Sequence, residues 1–514
     1  MDCNLYWRCA KNFTGVTWEQ VDGTQTKSVY AFLQSLTDPR TRTCKYLLWE
    51  ILACFVIGIM HGKDSGYRIV HWCRENIGLL REYGLILENG VASYDTHMRI
   101  LRLIDINMFA QEFLNWSNEF LILSGVHIAI DGKGLRGGTD KVRGGFTPYM
   151  LNVVEVTTGH IIASFPILTK EAEVSVIPSV IQMIATESNL ITIDAVGTCI
   201  NIISELLLNN AHLFLLVKKN NSQAYESLKN YFEDKKAMEC DATASKEASH
   251  CYQSAENGNM KRKTAPLETN ETVQPDNKKA GCSVLEELIE SSEGKAEHTS
   301  TGWTCEKAGG HVQYRKYQAI TNLESESIYN WDVGASLLGV TSALGEISGF
   351  FRTIGWAESV RVPIEKNEAG EDITRSRIDY LLYGSNRNPH PPVASDSERS
   401  SYQQIGFIST LELTANEAMR IKIEHWGVET SNQILDITLR EDEARTKTGK
   451  FSFSLLRKCA FNLLRYASRN YLADDKQCQH STRCIIDSVS GNKDLMKKLL
   501  SSGLEVYRPV THAA

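Results

Sequence analysis

The chain has 514 residues, a formal net charge of −7, 42% hydrophobic and 23% charged residues. The length leaves room for two or three domains, and the composition is ordinary for a soluble globular protein. A negative sum argues against a nucleic-acid partner held by the whole surface, but a local basic stretch matters more to DNA binding than the total.

The amino terminus, MDCNLYWRCAKNF, has no apolar core and no cleavage site, so no signal peptide is expected. The most apolar stretch, Tyr46 to Met60, is short and contains Glu50, which predicts a buried helix rather than a membrane span. The 13 cysteines are scattered and form no C-x-x-C pair. Cys478, His480 and Cys484 match no standard zinc spacing. The cysteines read as reduced and mostly buried, in a cytoplasmic protein.

Residues 28–118 read as helical. Helices are predicted over Val29–Leu36, Tyr46–Met60, Tyr67–Leu80, Thr96–Leu103 and Asp105–Asn118 from apolar residues at helical spacing. The fourth presents His97, Arg99 and Arg102, either for DNA-end recognition or simply on a packing helix.

The next region alternates strands and helices. Strands are predicted at 127–131, 149–156, 160–168, 189–194 and 212–217, with a hairpin turn at Thr157-Thr158-Gly159. Helices fit 173–186, 198–209 and 222–232. The result is an α/β fold with a mixed sheet flanked by helices, compatible with a ribonuclease-H-like arrangement.

Two of these strands end on an acid. Ile128-Ala129-Ile130 runs into Asp131, followed by Gly132, Lys133, Gly134 and Arg136. Leu190-Ile-Thr-Ile runs into Asp194. A lone Asp-Gly is most simply a turn. Two strand-end carboxylates, each costly to bury uncompensated, suggest a shared metal site.

Residues 235–302 are rich in Ala, Ser, Glu, Asn, Thr and Lys and cannot bury a core. The span 233–297 carries 14 acids against 9 bases. Strand-like runs return within 312–363, and 384–401 forms a second Pro/Ser-rich loop. A helix starts near Ala415 and carries His425-Trp426-Gly427-Val428-Glu429. The stretch 440–469 holds 8 bases and 3 acids, and 451–470 reads as an amphipathic basic helix. A last short helix covers 493–502.

With both Asp strands and HWGVE in place, the chain resembles the insertion-sequence DDE transposases of the H-repeat-associated type. The matching stretches run in order: FLQSLTDPR (32–40), SYDTHMRILRLID (93–105), IAIDGKGLRG (128–137), TKEAEVSVIP (169–178), LITIDAVG (190–197), LLVKKN (215–220), EKAGGHVQYR (306–315), HWGVE (425–429), LDITLRED (435–442) and FNLLR (461–465). They span Phe32 to Leu464. Departures from the family pattern include Thr430, where Asn usually follows the triad Glu, and Gln433-Ile434, where a His-Trp stands.

The resemblance implies a catalytic triad of Asp131, Asp194 and Glu429. It implies an N-terminal helical associated domain (1–120), a first part of the catalytic domain (121–232), a β-rich insertion with two low-complexity loops (233–406), and a segment with the catalytic Glu helix and basic C-terminal helices (407–514). Glu429 follows Asp194 by 235 positions, room for that insertion. The implied reaction is DNA cleavage and strand transfer at insertion-sequence ends, with double-stranded DNA as partner and no membrane. Transposases generally act as dimers, although no coiled-coil heptads appear here. The alternatives are a repurposed, inactive copy that binds DNA or protein, and a ribonuclease-H-like nuclease unrelated to transposition.

Three acids without His or Cys suit Mg²⁺ or Mn²⁺ better than zinc. Two ions about 4 Å apart would activate the attacking oxygen and stabilise the leaving one. In that arrangement Asp131 bridges both ions, and Asp194 and Glu429 bind one each. Lys133 and Arg136 lie just past Asp131, Lys218 and Lys219 follow the strand at 212–217, and all four are candidate phosphate contacts. So are Arg457, Lys458 and Arg465 of the basic helix. Lys170 and Glu173 match the family, but a structural ion pair explains them equally well. Asp436, Glu441 and Asp442 are expected to pair with Arg440 and Arg445. Glu424 points about 140° from Glu429 on a regular helix, and Asp436 lies about 10 Å further along it. The resemblance selects Glu429.

Overall fold

The computed structural model describes residues 17–42, 44–139, 147–167, 169–184, 187–194, 199–219, 222–238, 298–308, 311–321, 351–363, 402–443, 449–475, 478 and 481–510. The expected loop at 384–401 lies outside these residues, as does 235–302 apart from its two ends. Those ends are structured: 235–238 close a helix and 298–302 open a strand.

The amino-terminal part is a short strand followed by helices: β1 (Trp18–Gln25), α1 (Val29–Ser35), α2 (Leu48–Met60), α3 (Gly66–Glu75), α4 (Ile77–Glu82), α5 (Tyr94–Leu103) and α6 (Ile106–Ser117). Side-chain caps set four of the starts, Ser65 accepting from the Arg68 N–H at the head of α3. Ser28, Ser93 and Asp105 each accept a hydrogen bond from a backbone N–H of the first turn. Helix α2 is buried almost throughout, including Glu50. The Glu50 carboxylate accepts from the N–H groups of Ile86 and Leu87, both at 2.7 Å, which is how an acid sits inside this apolar run. Among the described residues no helix is long and apolar enough to cross a membrane.

Then come β2 (His127–Gly134), β3 (Tyr149–Glu155), β4 (His160–Ile167), α7 (Glu173–Met183), β5 (Leu190–Ile193), α8 (Ile200–Leu208), β6 (His212–Val217) and α9 (Ser222–Met238). The five strands lie in the order β4-β3-β2-β5-β6, with β2, β5 and β6 parallel and the other pairings antiparallel. This is the mixed sheet, flanked by helices, that the sequence predicts. The β3–β4 hairpin closes at Gly159, whose φ of +69° needs glycine. The Glu155 carboxylate accepts the N–H groups of Thr157 and Thr158 at 2.9 and 2.7 Å.

Four later strands extend the same sheet: β7 (His298–Ala308), β8 (His311–Thr321), β9 (Thr353–Pro363) and β10 (Tyr402–Ser409). Antiparallel pairing of β10 with β6 makes nine continuous strands, ending in β10-β9-β8-β7. Helix α10 (Ala415–Gln433) starts in a capping box of Thr414 and Glu417 and continues as a π-helical turn over Ile434–Thr438. It lies against β2 and β3 at one end and β7 and β8 at the other.

Helix α11 (Lys450–Asn470) differs from expectation. Fifteen of its 21 residues are buried. It packs against α2, α5 and α6 on one side and β4 on the other, so it joins the helical part to the sheet. Asn462 accepts from the Ile161 N–H at 3.0 Å and donates to Ser117 and to the Ile161 carbonyl, both at 2.9 Å. The chain ends in α12 (Thr482–Gly491), α13 (Lys493–Ser501) and β11 (Glu505–Pro509), which pairs antiparallel with β1. Sequence patterning revealed neither that two-stranded sheet nor α12. The described cysteines are all free, and Cys54, Cys73, Cys459 and Cys478 are buried.

Candidate active site

Strands β2 and β5 run parallel with Ile130 paired to Ile193. Asp131 and Asp194 each follow these paired positions, so both acids stand where the β2–β5 pairing ends; Asp194 lies just past β5, whereas β2, expected to stop at Asp131, continues along β3 to Gly134. In parallel pairing, Ala129 and Thr192 share a face of the sheet, and the two-residue period places Asp131 and Asp194 on it too. Helix α10 covers that face. Gly427 permits the approach, since a Cβ there would lie 3.1 Å from the Val156 carbonyl. Val428 is buried while Glu429 is exposed.

Beneath the acids, Thr192 takes hydrogen bonds at 2.8 Å with His425 Nδ1 and with His127 Nε2. His127 Nδ1 lies 3.6 Å from Glu424, which also sits 3.4 Å from Arg420. Burial, with a further push from His127, pulls the His425 imidazole down to about 3, so it stays neutral. Glu424 is thus engaged with His127 and Arg420.

The charges identify what surrounds Asp131. Burial first, then the charges of Glu173, Glu429 and Asp194, push its carboxyl up to about 7, against a pull from Lys170. Asn432 Nδ2 donates to Asp131 Oδ2 at 3.0 Å. Asn152 in turn donates to Asn432 at 2.8 Å, and Ser164 donates to Asn152 at 2.7 Å. This relay crosses β4, β3 and α10 and ends on the carboxylate. Asp194 pairs with Lys218 Nζ at 2.6 Å, both half-exposed.

Glu173 opens α7 and is buried. A Cβ on Gly132 would stand 1.9 Å from its Oε1, so glycine there is a steric requirement. A fourth carboxylate therefore borders the site. Lys422 is another addition. Burial first, then Lys218, lowers its amine to about 8, and it lies over the Trp426 ring at 5.6 Å.

The candidate phosphate contacts divide. Arg136 is exposed, with its N–H bonded to Asp442 at 3.0 Å, and Lys219 is exposed. Lys218 is held by Asp194. Lys133 turns inward instead. It is buried, 2.6 Å from Asp436, and bonded to Glu441. Lys458 lies 3.8 Å from the other oxygen of Glu441 and is fully buried. Arg457 is buried over the Phe453 ring at 3.8 Å and donates to the Asp64 carbonyl at 2.6 Å.

Burial opposes the charge of every member of this cluster. It lowers Lys458 to about 8 and Arg457 to about 10, while Lys458 and Lys133 hold Glu441 well below the usual carboxylate range against it. Arg465 packs against Gly159 and over Phe461. The basic run 440–469 is therefore a correction to the sequence reading: Lys133, Arg457, Lys458 and Arg465 face the interior, because a helix that carries this much apolar surface buries its cations with it. Asp436, Glu441 and Asp442 pair with Lys133, Lys458 and Arg136 rather than with Arg440. Arg445 lies outside the described residues. His97 is also buried, its Nδ1 3.0 Å from the Ser93 carbonyl, while Arg99 and Arg102 are exposed.

The donor types suit a hard divalent cation: carboxylates gathered where the β2–β5 pairing ends, with burial first and then their mutual repulsion pushing the Asp131 carboxyl up. As placed, and among the described residues, no three acids, histidines or cysteines converge as a closed ligand set.

Known proteins bear on the same residues. The family described as "DDE_Tnp_1-associated" matches residues 30–117, the helical part. The chain is 30% identical over 189 residues to "Putative transposase YncI" of Escherichia coli K12, a match covering 37% of this chain and 76% of that protein. It is 29% identical over 208 residues to the protein of that name in Escherichia coli O157:H7, covering 40% of this chain and about half, 53%, of the relative. It is 25% identical over 178 residues to "H repeat-associated putative transposase YbfD" of Escherichia coli K12, covering 34% and 70% of the two chains. With the strand-end acids, the mixed sheet and these matches together, the chain belongs to the DDE transposases of the H-repeat-associated type.

Proposed function

We propose that this protein cuts DNA at insertion-sequence ends and joins the cut strand to a target, with Asp131, Asp194 and Glu429 as its catalytic carboxylates. The observation that carries this reading is the parallel register of β2 and β5, which sets Asp131 beside Asp194 under the helix bearing Glu429. These three residues would hold Mg²⁺ or Mn²⁺, whose chemistry is to activate the attacking oxygen and stabilise the leaving one.

The chain's own residues supply positioning. Asn432 fixes one oxygen of Asp131 and leaves the other free. Lys218 compensates Asp194 until another cation arrives. Arg136 and Lys219, exposed beside the strand ends, are suited to backbone phosphates.

The test is strand nicking of end-containing duplex DNA with and without Mg²⁺. Cleavage by the wild type that vanishes in Asp131→Asn, Asp194→Asn and Glu429→Gln, with gel-shift binding kept, supports the proposal. Cleavage at the wild-type rate in any of the three removes that residue from the triad.

A further inference from the structure

The turn between α2 and α3 carries Lys63 and Asp64. It faces the end of the π-helical turn, where Thr438 and Arg440 lie, and Arg483 of α12. Together they line a polar groove. Arg68 of α3 also lines it, so four of the lining side chains are cationic and one is acidic. The side chains of Arg68, Arg440 and Arg483 are 59%, 50% and 62% exposed.

The groove is built rather than incidental. Asp64 Oδ2 accepts from Arg68 at 2.8 Å and lies 3.4 Å from Arg440, so one carboxylate aims two guanidinium groups. The Asp64 carbonyl is itself fixed by buried Arg457. Arg440 holds a φ of +51°, a left-handed backbone that a long side chain rarely adopts. Glu443 and Asp487 approach Arg440 and Arg483 at 3.4 and 3.8 Å. These outer pairs are well exposed and contribute little.

The groove is also continuous with the catalytic strand. Beyond Asp131, β2 leads to exposed Arg136, whose N–H bonds Asp442, two residues from Arg440. Arg136 is thus tied through Asp442 to the segment that carries Arg440, one wall of the groove.

We propose that this groove binds backbone phosphates of the DNA being processed, so that the helical domain and the π-helical turn clamp the duplex beside the catalytic acids. The proposal rests on the transposase reading. Planar, outward-facing guanidinium forks on a rigid turn match phosphate geometry, and such contacts position DNA without reading its sequence.

The experiment measures affinity for end-containing duplex DNA by fluorescence anisotropy across a salt series. The proteins are the full-length wild type, Arg440→Gly, the double variant Lys63→Gln/Arg483→Gln, and Lys497→Gln on α13 as a distant charge control. Glycine accepts the left-handed backbone, and the double variant leaves Asp64 and Arg440 untouched, so each can fold where the other might not. Thermal melts verify this. Each lost phosphate contact should lower the slope of log K against log salt by about one. Affinity at low salt should fall about tenfold, with Lys497→Gln unchanged. Wild-type slopes in both groove variants would overturn the groove while leaving the transposase reading intact. A wild type that binds no DNA would remove both. Inorganic phosphate that raises the melting temperature of the wild type while the DNA slopes stay unchanged would overturn the assignment to DNA.

Discussion

Asn432 donates a 3.0 Å hydrogen bond to Asp131 from three residues beyond Glu429 on the same helix. The helix that delivers one acid therefore also orients another. Removing this amide in Asn432→Ala frees Asp131 to rotate and should lower nicking by about 10–100-fold, the range for residues that orient metal-binding groups. DNA affinity should be unchanged. Full nicking activity would show that the relay through Asn152 is only structural.

The elevated Asp131 carboxyl makes stability depend on pH. Its folded value is about 7 against an ordinary 3.8. A raised folded value contributes stability below about pH 4 that is lost as pH rises through 7. Metal-free Asp131→Asn should therefore melt several degrees above metal-free wild type at pH 7.5, with the gap closing by pH 4. An equal gap at both values would exclude Asp131 as the titrating group.

Gly132 and Glu173 form a steric pair. Gly132→Ala puts a Cβ 1.9 Å from the Glu173 carboxylate and should cost about 1–3 kcal/mol as the backbone or helix α7 shifts. In Gly132→Ala/Glu173→Ala much of that cost should disappear, giving a coupling of at least about 0.5 kcal/mol in a double-mutant cycle by urea unfolding. Additive losses would place the strain elsewhere.

Glu424 and Glu429 share one helix yet have different neighbours. Glu429→Gln should abolish Mg²⁺-dependent nicking with DNA binding retained. Glu424→Gln, beside His127 and Arg420, should leave nicking nearly unchanged. Loss of nicking in Glu424→Gln alone would reverse the assignment.

The buried cluster of Lys133, Glu441 and Lys458 is a stability element. Glu441→Ala takes the carboxylate from buried Lys458 and leaves Lys133 only Asp436, and should cost about 3–5 kcal/mol. Arg457→Glu should fail to fold rather than merely weaken DNA binding. A folded Arg457→Glu protein with normal melting would show that α11 is not the pillar described.

The legible parts of the sequence were those with a local period. β2 and β5 could be read because each begins as an apolar run leading to an acid, although β2 continues past Asp131 to Gly134, and HWGVE because it sits on a helix. The inward turn of Lys133 could not be read, since its partners Asp436 and Glu441 lie some 300 positions away and only the fold brings them together. Arg457 and Lys458 misled for a related reason. Charge in a sequence suggests solvent, whereas here Glu441, Asp64 and the Phe453 ring compensate the cations inside. Asn432 carried no signal of its own, and Glu173 only a match to the family that an ion pair explained equally well. Each gains its meaning from a neighbour, Gly132 or Asp131, met only across the sheet.

The single nine-strand sheet also orders events during synthesis. Asp131 and Asp194 are complete on β2 and β5 long before the ribosome reaches Glu429, and α10 packs across strands from both the early and late parts of the chain. A nascent or prematurely terminated product carries two of the three acids but lacks the third and the Asn432 amide. Under the proposed mechanism such fragments cannot nick the DNA of the cell that makes them, so the architecture ties the onset of cutting to a finished polypeptide.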